Sequence, residues 1–324
     1  MAISAVNPVR YPGGKGSKSI VDRVLSLYQE GYLDGRTWIE PFCGGCGLGL
    51  SLLARGSIGR AEFSDADPRI CAMWHEIAYD SDSLCTRISD AVVDMRLFEW
   101  ARETANDQES SIGDMGYATY VLNRCCHSGY IDGGVMGGKA QTGRYKVDCR
   151  FNKPNIIKRI RRVAELADAG LASFGGPVDA LDIMSSIPDT REPDGVFVYA
   201  DPPYVQMGAA CYRQGVDHAE LADTLLSLSD AGFGWLLSYD DCAEVRKMYS
   251  GCRFEPLTVS YSNNGRTRGK AIEALIMPRR NGIAGSGERG AAEIGLMDGL
   301  TRRTRFCVVY VDCWNPAGSS TGND

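Results

Sequence analysis

The stretch Trp38-Ile39-Glu40-Pro41-Phe42-Cys43-Gly44-Gly45-Cys46-Gly47-Leu48-Gly49-Leu50 has the pattern of a strand that passes through a glycine turn into a helix. Glycines are needed where a ligand approaches the backbone so closely that a side chain would block it. Asp65 follows about 20 residues later, at the end of the next predicted strand, where a nucleotide-binding fold places a carboxylate for ribose hydroxyls. Asp67 competes for that role, but we interpret it as the N-cap of a helix that starts near Pro68.

The glycine turn also limits the kind of ligand. It lacks the Lys-Ser/Thr pair of a phosphate-binding loop, and it does not match Gly-x-Gly-x-x-Gly cleanly. Adenosine without a pyrophosphate therefore fits the turn better than NAD does, which disfavours a nicotinamide-dependent dehydrogenase.

Short apolar runs alternate with helical patterns along the chain, which predicts an α/β fold with a mostly parallel sheet and helices on both faces. The predicted strands are Thr37–Glu40, Arg60–Asp65, Val178–Ile183, Val196–Ala200, Trp235–Tyr239, Phe254–Ser260 and Ala271–Met277. Predicted helices between them include Lys18–Glu30, Leu48–Ala54 and His218–Ala231, the last with Asp217 as its N-cap.

The pattern changes between Pro68 and about Gly176, where the sequence predicts no strand of the main sheet. Predicted helices there are Arg69–Tyr79, Leu84–Met95, Tyr117–Arg124 and Asn155–Ala169, around a loop from Asp107 to Lys153. We therefore expect residues 1–67 and 177–280 to form one domain and residues 68–176 to form an inserted unit. Residues 281–324 are expected to be a flexible tail, in which only Phe306–Val311 has an apolar pattern.

Composition leaves the substrate open. The 324-residue chain has a net charge of −6, which neither excludes nor indicates nucleic acid, because only the local field at a binding cleft must be positive. No apolar run approaches the roughly 18 residues of a membrane span, and the N-terminus lacks a signal-peptide pattern, so we expect a cytoplasmic protein with no membrane partner. The 12 cysteines are expected to be reduced thiols. A zinc site at Cys43 and Cys46 would need further ligands, and His127 is the best candidate for one of them. We expect no metal site.

The predicted strand Val196–Ala200 leads into Asp201-Pro202-Pro203-Tyr204. Adjacent prolines cannot continue a sheet ladder and form a rigid exit from the strand, but a strand terminator does not explain Asp201 and Tyr204. A hypothesis that uses all four residues is that the motif binds the N6 amino group of adenine as a substrate. This group is a poor nucleophile, because its lone pair is delocalised into the ring. Hydrogen bonds to the Asp201 carboxylate and the Pro202 carbonyl would favour a pyramidal nitrogen, and Tyr204 offers a face on which a flipped base can stack.

Four segments in this order resemble the Dam-type class of site-specific DNA adenine-N6 methyltransferases, over about residues 8–279. They are Arg10-Tyr11-Pro12-Gly13-Gly14-Lys15, Glu40-Pro41-Phe42-Cys43-Gly44-Gly45, Asp201-Pro202-Pro203-Tyr204 and Ser262-Asn263-Asn264-Gly265-Arg266-Thr267-Arg268. Tyr120–Arg124, with Gly143-Arg144-Tyr145 and Phe151-Asn152, is similar to the family's inserted DNA-facing region. Tyr11 stands where some members carry Trp, and Cys46 stands where a smaller residue is common.

The resemblance implies a Rossmann-like S-adenosylmethionine-dependent methyltransferase sheet with an inserted, mainly helical DNA-recognition domain at residues 68–176. It implies direct in-line methyl transfer from S-adenosylmethionine to N6 of adenine in double-stranded DNA, with no covalent enzyme intermediate and no metal. The implied catalytic residues are Asp201, Pro202, Pro203 and Tyr204, and the implied cofactor-binding residues are Tyr11, Lys15, Glu40, Phe42, Gly44, Asp65 and Asp201. Lys15 is expected near the carboxylate end of the cofactor.

Charge and position add the expected DNA contacts, namely Arg124, Lys139, Arg144, Lys146, Lys153, Asn264 and Arg266. A monomer is the expected oligomeric state, and a cognate restriction enzyme is left open as a partner. Two alternatives also stay open: a methyltransferase acting on a protein or RNA amide or amine, and a decayed, inactive copy that still binds DNA. The DNA target sequence cannot be read from the chain, because it depends on a few loop side chains and on DNA deformability.

Overall fold

The computed structural model describes residues 6–204, 216–263 and 267–279, which contain a seven-stranded sheet. The strands are β1 (Thr37–Glu40), β2 (Arg60–Asp65), β3 (Ala172–Pro177), β4 (Val196–Ala200), β5 (Gly234–Asp240), β6 (Arg253–Asn263) and β7 (Thr267–Met277). Their order is β3-β2-β1-β4-β5-β7-β6. The strands β1 to β5 are parallel, β7 is antiparallel to β5, and β6 is antiparallel to β7.

The strand order reverses between β1 and β4, which are neighbours. From β1 the chain continues outward to β2 and β3, whereas from β4 it continues in the opposite direction to β5. Open α/β sheets bind ligands beyond the carboxyl ends of the strands at such a reversal. Glu40 ends β1 and Asp201 directly follows β4, so two predicted site residues lie at this point.

Helices cover both faces of the sheet. Successive side chains of a strand point to opposite faces, and the parallel strands carry apolar side chains on both, so each face needs a helical layer that shields it from water. Trp38 and Phe197 face one layer, whereas Ile39 and Val198 face the other. The helices are α1 (Lys18–Leu25), α2 (Gly47–Arg55), α3 (Pro68–Tyr79), α4 (Ser81–Asp90), α5 (Met95–Thr104), α6 (Ile112–Cys125), α7 (Lys153–Asp168), α8 (Ala180–Thr190), α9 (His218–Asp230) and α10 (Ala243–Met248). The Trp38 layer contains α1 to α7, and the Ile39 layer contains α8 to α10.

The α/β fold is confirmed, but the predicted strand at Val178–Ile183 is wrong. Its residues lie mostly in α8, whose N-cap Asp179 accepts a hydrogen bond from the backbone N–H of Leu181. The strand at this place is β3, six residues earlier, and it contains Gly175 and Gly176, which are weak strand formers. The expectation that no main-sheet strand lies between Pro68 and about Gly176 is therefore wrong too. The boundaries of the inserted unit stay a prediction, and α3 and α7 pack directly on β3.

The observed helix ends are predicted better by N-cap residues than by the spacing of apolar residues. Asp217 and Asp67 cap α9 and α3 as predicted, each accepting a backbone N–H in the first turn. The predicted helix Leu84–Met95 is wrong in extent, because Asp94 caps a separate helix, α5. The predicted Lys18–Glu30 ends earlier, at Leu25. The expectations for residues 281–324 lie outside the described residues.

Helix α6 holds the N-terminal segment in place. The buried Asn123 side chain accepts a hydrogen bond from the Arg10 N–H at 3.0 Å and donates to the carbonyls of Arg10 and Gly129 at 2.5 and 3.0 Å. The Tyr120 hydroxyl donates to the Pro8 carbonyl at 3.1 Å. These bonds fix the backbone of a segment that makes few regular hydrogen bonds of its own.

Within the residues that the structure describes, no helix combines the length and apolarity required to cross a membrane.

Asn123→Ala is expected to lower the free energy of unfolding by about 2–4 kcal/mol, because buried backbone groups of Arg10 and Gly129 lose their partners. Urea denaturation followed by circular dichroism measures the change. The control is Asn155→Ala, at an exposed position on α7. A loss at Asn123 within about 0.5 kcal/mol of the control, the usual scale of a surface substitution, would contradict the anchoring role.

Candidate active site

The buried ammonium group of Lys15 lies at the carboxyl edge of the sheet and contacts two carboxylates. Its Nζ is 3.2 and 3.1 Å from the two carboxylate oxygens of Asp201 and 3.2 Å from Oε2 of Glu273. It also donates to the Tyr204 hydroxyl at 3.0 Å. The side chains of Lys15 and Glu273 are 4% and 2% exposed, whereas Asp201 is 24% exposed. The N-terminal glycine motif and the Asp-Pro-Pro-Tyr motif therefore meet at one ammonium group.

Burial and charge act against each other on this cluster. Burial raises the pKa of Asp201, the Lys15 ammonium opposes that rise, and Glu273 adds to it. Burial disfavours a charged Lys15, but the attraction of Asp201 and Glu273 outweighs it, so the pKa of Lys15 is raised. Lys15 is therefore a cation at neutral pH.

The glycine turn lies against the ring of Tyr11. A Cβ atom on Gly44 would be 2.6 Å from Cζ of Tyr11, and one on Gly45 would be 2.5 Å from its Cβ. Gly44 also has a φ of +40°, which favours glycine. The indole N–H of Trp74 donates to the Gly44 carbonyl at 2.8 Å and fixes the turn from α3. Only glycine at these two positions lets the Tyr11 ring reach the turn.

Asp65 lies at the end of β2, beside the glycine turn, as the sequence predicts. Its carboxylate accepts hydrogen bonds from the backbone N–H groups of Gly44 at 2.9 Å and Asp67 at 3.0 Å. Burial raises the pKa of Asp65 to about 6, although both hydrogen bonds lower it. The carboxylate is thus ionised at neutral pH and can accept further hydrogen bonds.

Glu40 is 3% exposed at the end of β1. One of its oxygens accepts hydrogen bonds from the Trp38 indole N–H at 3.0 Å and the Gly49 backbone N–H at 3.2 Å. Burial raises the pKa of Glu40 to about 8. At pH 7 the carboxyl group is therefore mostly protonated, unlike that of Asp65.

These groups surround a cleft with a volume of about 1220 Å³. Sites for drug-sized ligands usually occupy about 300–1,000 Å³, so the cleft has room for more than one small ligand. The predicted residues that line it are Tyr11, Lys15, Glu40, Phe42, Asp65, Asp201, Pro202, Pro203 and Tyr204. Gly44 does not line the cleft and acts through its contacts with Asp65 and Tyr11.

Arg124 and Lys153, two of the basic residues predicted to contact DNA, each donate to a backbone carbonyl of another segment. Arg124 donates from Nε to the Arg150 carbonyl at 3.0 Å and from its guanidinium to the Pro8 carbonyl at 3.5 Å. Lys153 donates to the Ser89 carbonyl at 2.7 Å. These contacts favour a structural role for both side chains.

The other basic candidates lie in the loop between α6 and α7. Lys139 and Arg144 are exposed, and the Arg144 guanidinium lies 5.5 Å from the ring centre of the exposed Tyr145. Lys146 is exposed as well, and its ammonium donates to the Gln141 carbonyl. These three residues do not line the cleft, although the first part of the same loop does, and their role in DNA binding stays a prediction. Asn264 and Arg266 lie outside the described residues.

Three residues at the site were not predicted from the sequence. Asn123 fixes the N-terminal segment, and Asp179 lines the cleft from the start of α8, where a strand was predicted. Glu273 pairs with Lys15 from β7. A charged residue in the otherwise apolar run Ala271–Met277 is the signal that could have identified Glu273.

Glu40→Gln is expected to flatten the pH dependence of stability between about pH 5 and pH 8. In the folded protein the pKa of Glu40 is about 8, against an ordinary value of 4.5, so the folded state holds a proton that the unfolded chain releases in this range. Stability should fall as pH rises, by up to about 1.4 kcal/mol per pH unit from this group. Urea denaturation across this range tests it, with the exposed Glu30→Gln as control. Parallel curves for wild type and Glu40→Gln would refute the assignment.

Comparison with known proteins identifies the family to which this geometry belongs. The D12 class N6 adenine-specific DNA methyltransferase family matches residues 11–263. No curated protein matches the chain. The matched region begins at Tyr11 and includes Lys15, the glycine turn, Asp65 and the Asp201–Tyr204 motif. The chain therefore belongs to the D12 class of N6 adenine-specific DNA methyltransferases and is a DNA adenine-N6 methyltransferase.

Proposed function

We propose that the protein transfers a methyl group from S-adenosylmethionine to N6 of an adenine that is flipped out of double-stranded DNA at a specific site. The observation that carries the proposal is the Asp201 carboxylate, which is held by a buried ammonium and faces a cleft large enough for a cofactor and a base. The family supports adenine in DNA as the substrate over a protein or RNA amine.

The described residues fit S-adenosylmethionine on one side of the cleft. Asp65 is an ionised acceptor for ribose hydroxyls, beside a glycine turn where an added Cβ would collide with Tyr11. Phe42 and the ring of Tyr11 offer apolar surface to the cleft next to this acceptor. When bound, the cofactor supplies a methyl group made electrophilic by a sulfonium, and the protein supplies position and electrostatics.

Asp201 and Pro202 act on the adenine amino group. Its two N–H groups donate to the Asp201 carboxylate and the Pro202 carbonyl, which favours a pyramidal nitrogen with its lone pair directed out of the ring plane. The two prolines keep both acceptors in fixed positions, so little reorganisation is needed when the base arrives. Polar groups that are already in position where charge develops in the transition state usually contribute a large part of an enzyme's rate acceleration.

Tyr204 offers its ring to the flipped base. Its hydroxyl is held by the Lys15 ammonium, and its ring meets Tyr239 edge-on with 6.2 Å between ring centres. Both contacts orient the ring before a base is present. A target base inside a duplex cannot reach the cleft, so the base must leave the stack, and an aromatic face compensates part of that cost.

Lys15 acts on Asp201 in this proposal and not on the cofactor carboxylate. An ammonium has three N–H donors, and Asp201, Glu273 and Tyr204 account for three acceptors. Lys15 thus favours the ionised form of Asp201, whereas burial favours its protonated form.

The exposed loop with Lys139, Arg144 and Lys146 supports residues 68–176 as the target-recognition region, because side chains of this type bind phosphates. The monomeric state, the cytoplasmic location and a cognate restriction enzyme stay predictions.

Expression in a bacterial strain without DNA methylases of its own should produce N6-methyladenine at one short sequence motif. Modification-sensitive long-read sequencing of the genome measures reaction, substrate and target site together. Asp201→Ala should reduce methylation by about 100-fold or more, because the acceptor for the amino group is lost. The matched control is Asp189→Asn, at an exposed position on α8. Soluble wild-type protein without modified adenine, or a fully active Asp201→Ala variant, would overturn the proposal.

The affinity for the product S-adenosylhomocysteine, which lacks the reactive methyl, should fall as pH drops below about 6. Asp65 has a pKa of about 6, so it is ionised above this pH and loses its charge below it. The affinity should fall by about tenfold per pH unit well below the pKa. Asp65→Asn should bind more weakly at pH 8 and lose this pH dependence, as measured by calorimetry. Equal pH dependence in both proteins would exclude Asp65 as the ribose acceptor.

A further inference from the structure

The function proposed so far leaves the buried carboxylate of Glu273 without a role. Glu273 lies on β7 opposite Asp240 of β5 and Leu257 of β6. Because β7 runs antiparallel to β5, its first half lies at the carboxyl edge of the parallel strands, where Asp201 follows β4. The fold thus brings a second carboxylate to the ammonium that holds Asp201.

We propose that Glu273 is a positioning residue that keeps Asp201 a strong hydrogen-bond acceptor by sharing the charge of Lys15. This inference rests on the proposed function of Asp201. Asp201 receives Lys15 Nζ at both of its carboxylate oxygens, at 3.2 and 3.1 Å. An ammonium paired with Asp201 alone would neutralise it and weaken it as an acceptor for the adenine amino group.

The charges of the cluster support this role. In formal charges, Lys15 is +1 and Asp201 and Glu273 are −1 each, which sums to −1 for the cluster. Glu273 is 2% exposed, so water screens its charge poorly, whereas Asp201 is 24% exposed toward the cleft. The excess negative charge is therefore available at the Asp201 oxygens that face the substrate.

Other groups around Asp201 do not replace Glu273. Glu40 at the end of β1 has a pKa of about 8 and is mostly protonated at pH 7. Tyr199 of β4 is buried, and its pKa lies well above the ordinary value. Tyr204 donates no charge and accepts a hydrogen bond from Lys15. Among the described residues that act on Asp201, Glu273 is thus the source of the additional negative charge.

A purely structural role for Glu273 predicts a different result from the proposed one. If Glu273 only satisfied one N–H of the buried Lys15, the amide oxygen of glutamine would serve as well, since it has the same shape and accepts the same hydrogen bond. If its charge matters, Glu273→Gln keeps the contact and removes the effect. The charge also raises the pKa values of both Asp201 and Lys15, so its removal should lower both.

The test compares Glu273→Gln and Glu273→Asp with the wild type in methyl transfer to duplex DNA across pH. Glu273→Gln should lower kcat about tenfold at its optimum and move the acid limb of the kcat profile to lower pH by about one unit. Its affinity for S-adenosylhomocysteine, measured by calorimetry, should stay within about twofold of the wild type. Glu273→Asp should restore kcat and the acid limb toward wild-type values, because it keeps the charge.

The matched control is Glu255→Gln on β6, whose carboxylate pairs with Arg23 and Arg253 away from Lys15. It should leave kcat and its pH profile unchanged. A kcat for Glu273→Gln within about twofold of the wild type, with an unmoved acid limb, would overturn the inference. Equal losses in Glu273→Gln and Glu273→Asp would overturn it too, because the charge that Glu273→Asp keeps would then not account for the loss.

Two further outcomes distinguish a failure of this inference from a failure of the proposed function. A wild-type protein that does not methylate DNA would overturn both, whereas an active wild type with an insensitive Glu273→Gln would overturn the inference alone. If Glu273→Gln does not fold, Glu273→Asp decides. It keeps the charge on a shorter side chain, so a kcat within about twofold of the wild type supports the inference, and a loss of about tenfold overturns it.

Discussion

The burial of the Lys15 ammonium is the constraint on which the site depends. A buried charge is costly unless it is paired and hydrogen-bonded, so the fold must bring carboxylates to it. Asp201 comes from the exit of β4 and Glu273 from β7, while Lys15 itself comes from the N-terminal segment. The correct position of each of these three parts of the chain therefore depends on the other two. The same contact that makes the cluster stable also fixes the position of the carboxylate that faces the cleft.

The N-terminal segment needs a second support, because it forms no part of the sheet. Helix α6 supplies it through Asn123 and Tyr120, and α6 belongs to the region that we assign to target recognition. Arg69 of α3 makes a comparable link, since its guanidinium bonds the carboxylates of both Asp67 and Asp132. Asp67 neighbours the proposed ribose acceptor, and Asp132 belongs to the loop after α6. The region between β2 and β3 therefore builds one wall of the cleft beside Asp65.

Local chemistry made part of this site predictable. The glycine turn, Asp65 and the Asp201–Tyr204 motif each lie within a few residues of a strand end, so the sequence specified their place at the carboxyl edge. Other features depend on pairing between distant segments, which periodicity does not contain. Glu273 reaches Lys15 only because β7 runs antiparallel to β5. The sequence does not indicate β3, because its glycines weaken the strand pattern and the apolar start of α8 beside it has the pattern of a strand.

The cleft contains carboxyl groups of similar intrinsic acidity that serve different purposes, and their surroundings separate them. Glu40 is buried, and no cation within the described part of the chain forms an ion pair with it, so it is mostly protonated at pH 7 and adds little charge. Asp65 is ionised, because two backbone N–H groups offset its burial. At Asp201 the Lys15 ammonium favours the ionised form and opposes the effect of burial, which raises the pKa. Environments that separate the pKa values of neighbouring acids assign them different roles. Negative charge is thereby concentrated at Asp65, the proposed ribose acceptor, and at Asp201, the proposed amine acceptor, whereas Glu40 on the strand between them adds little.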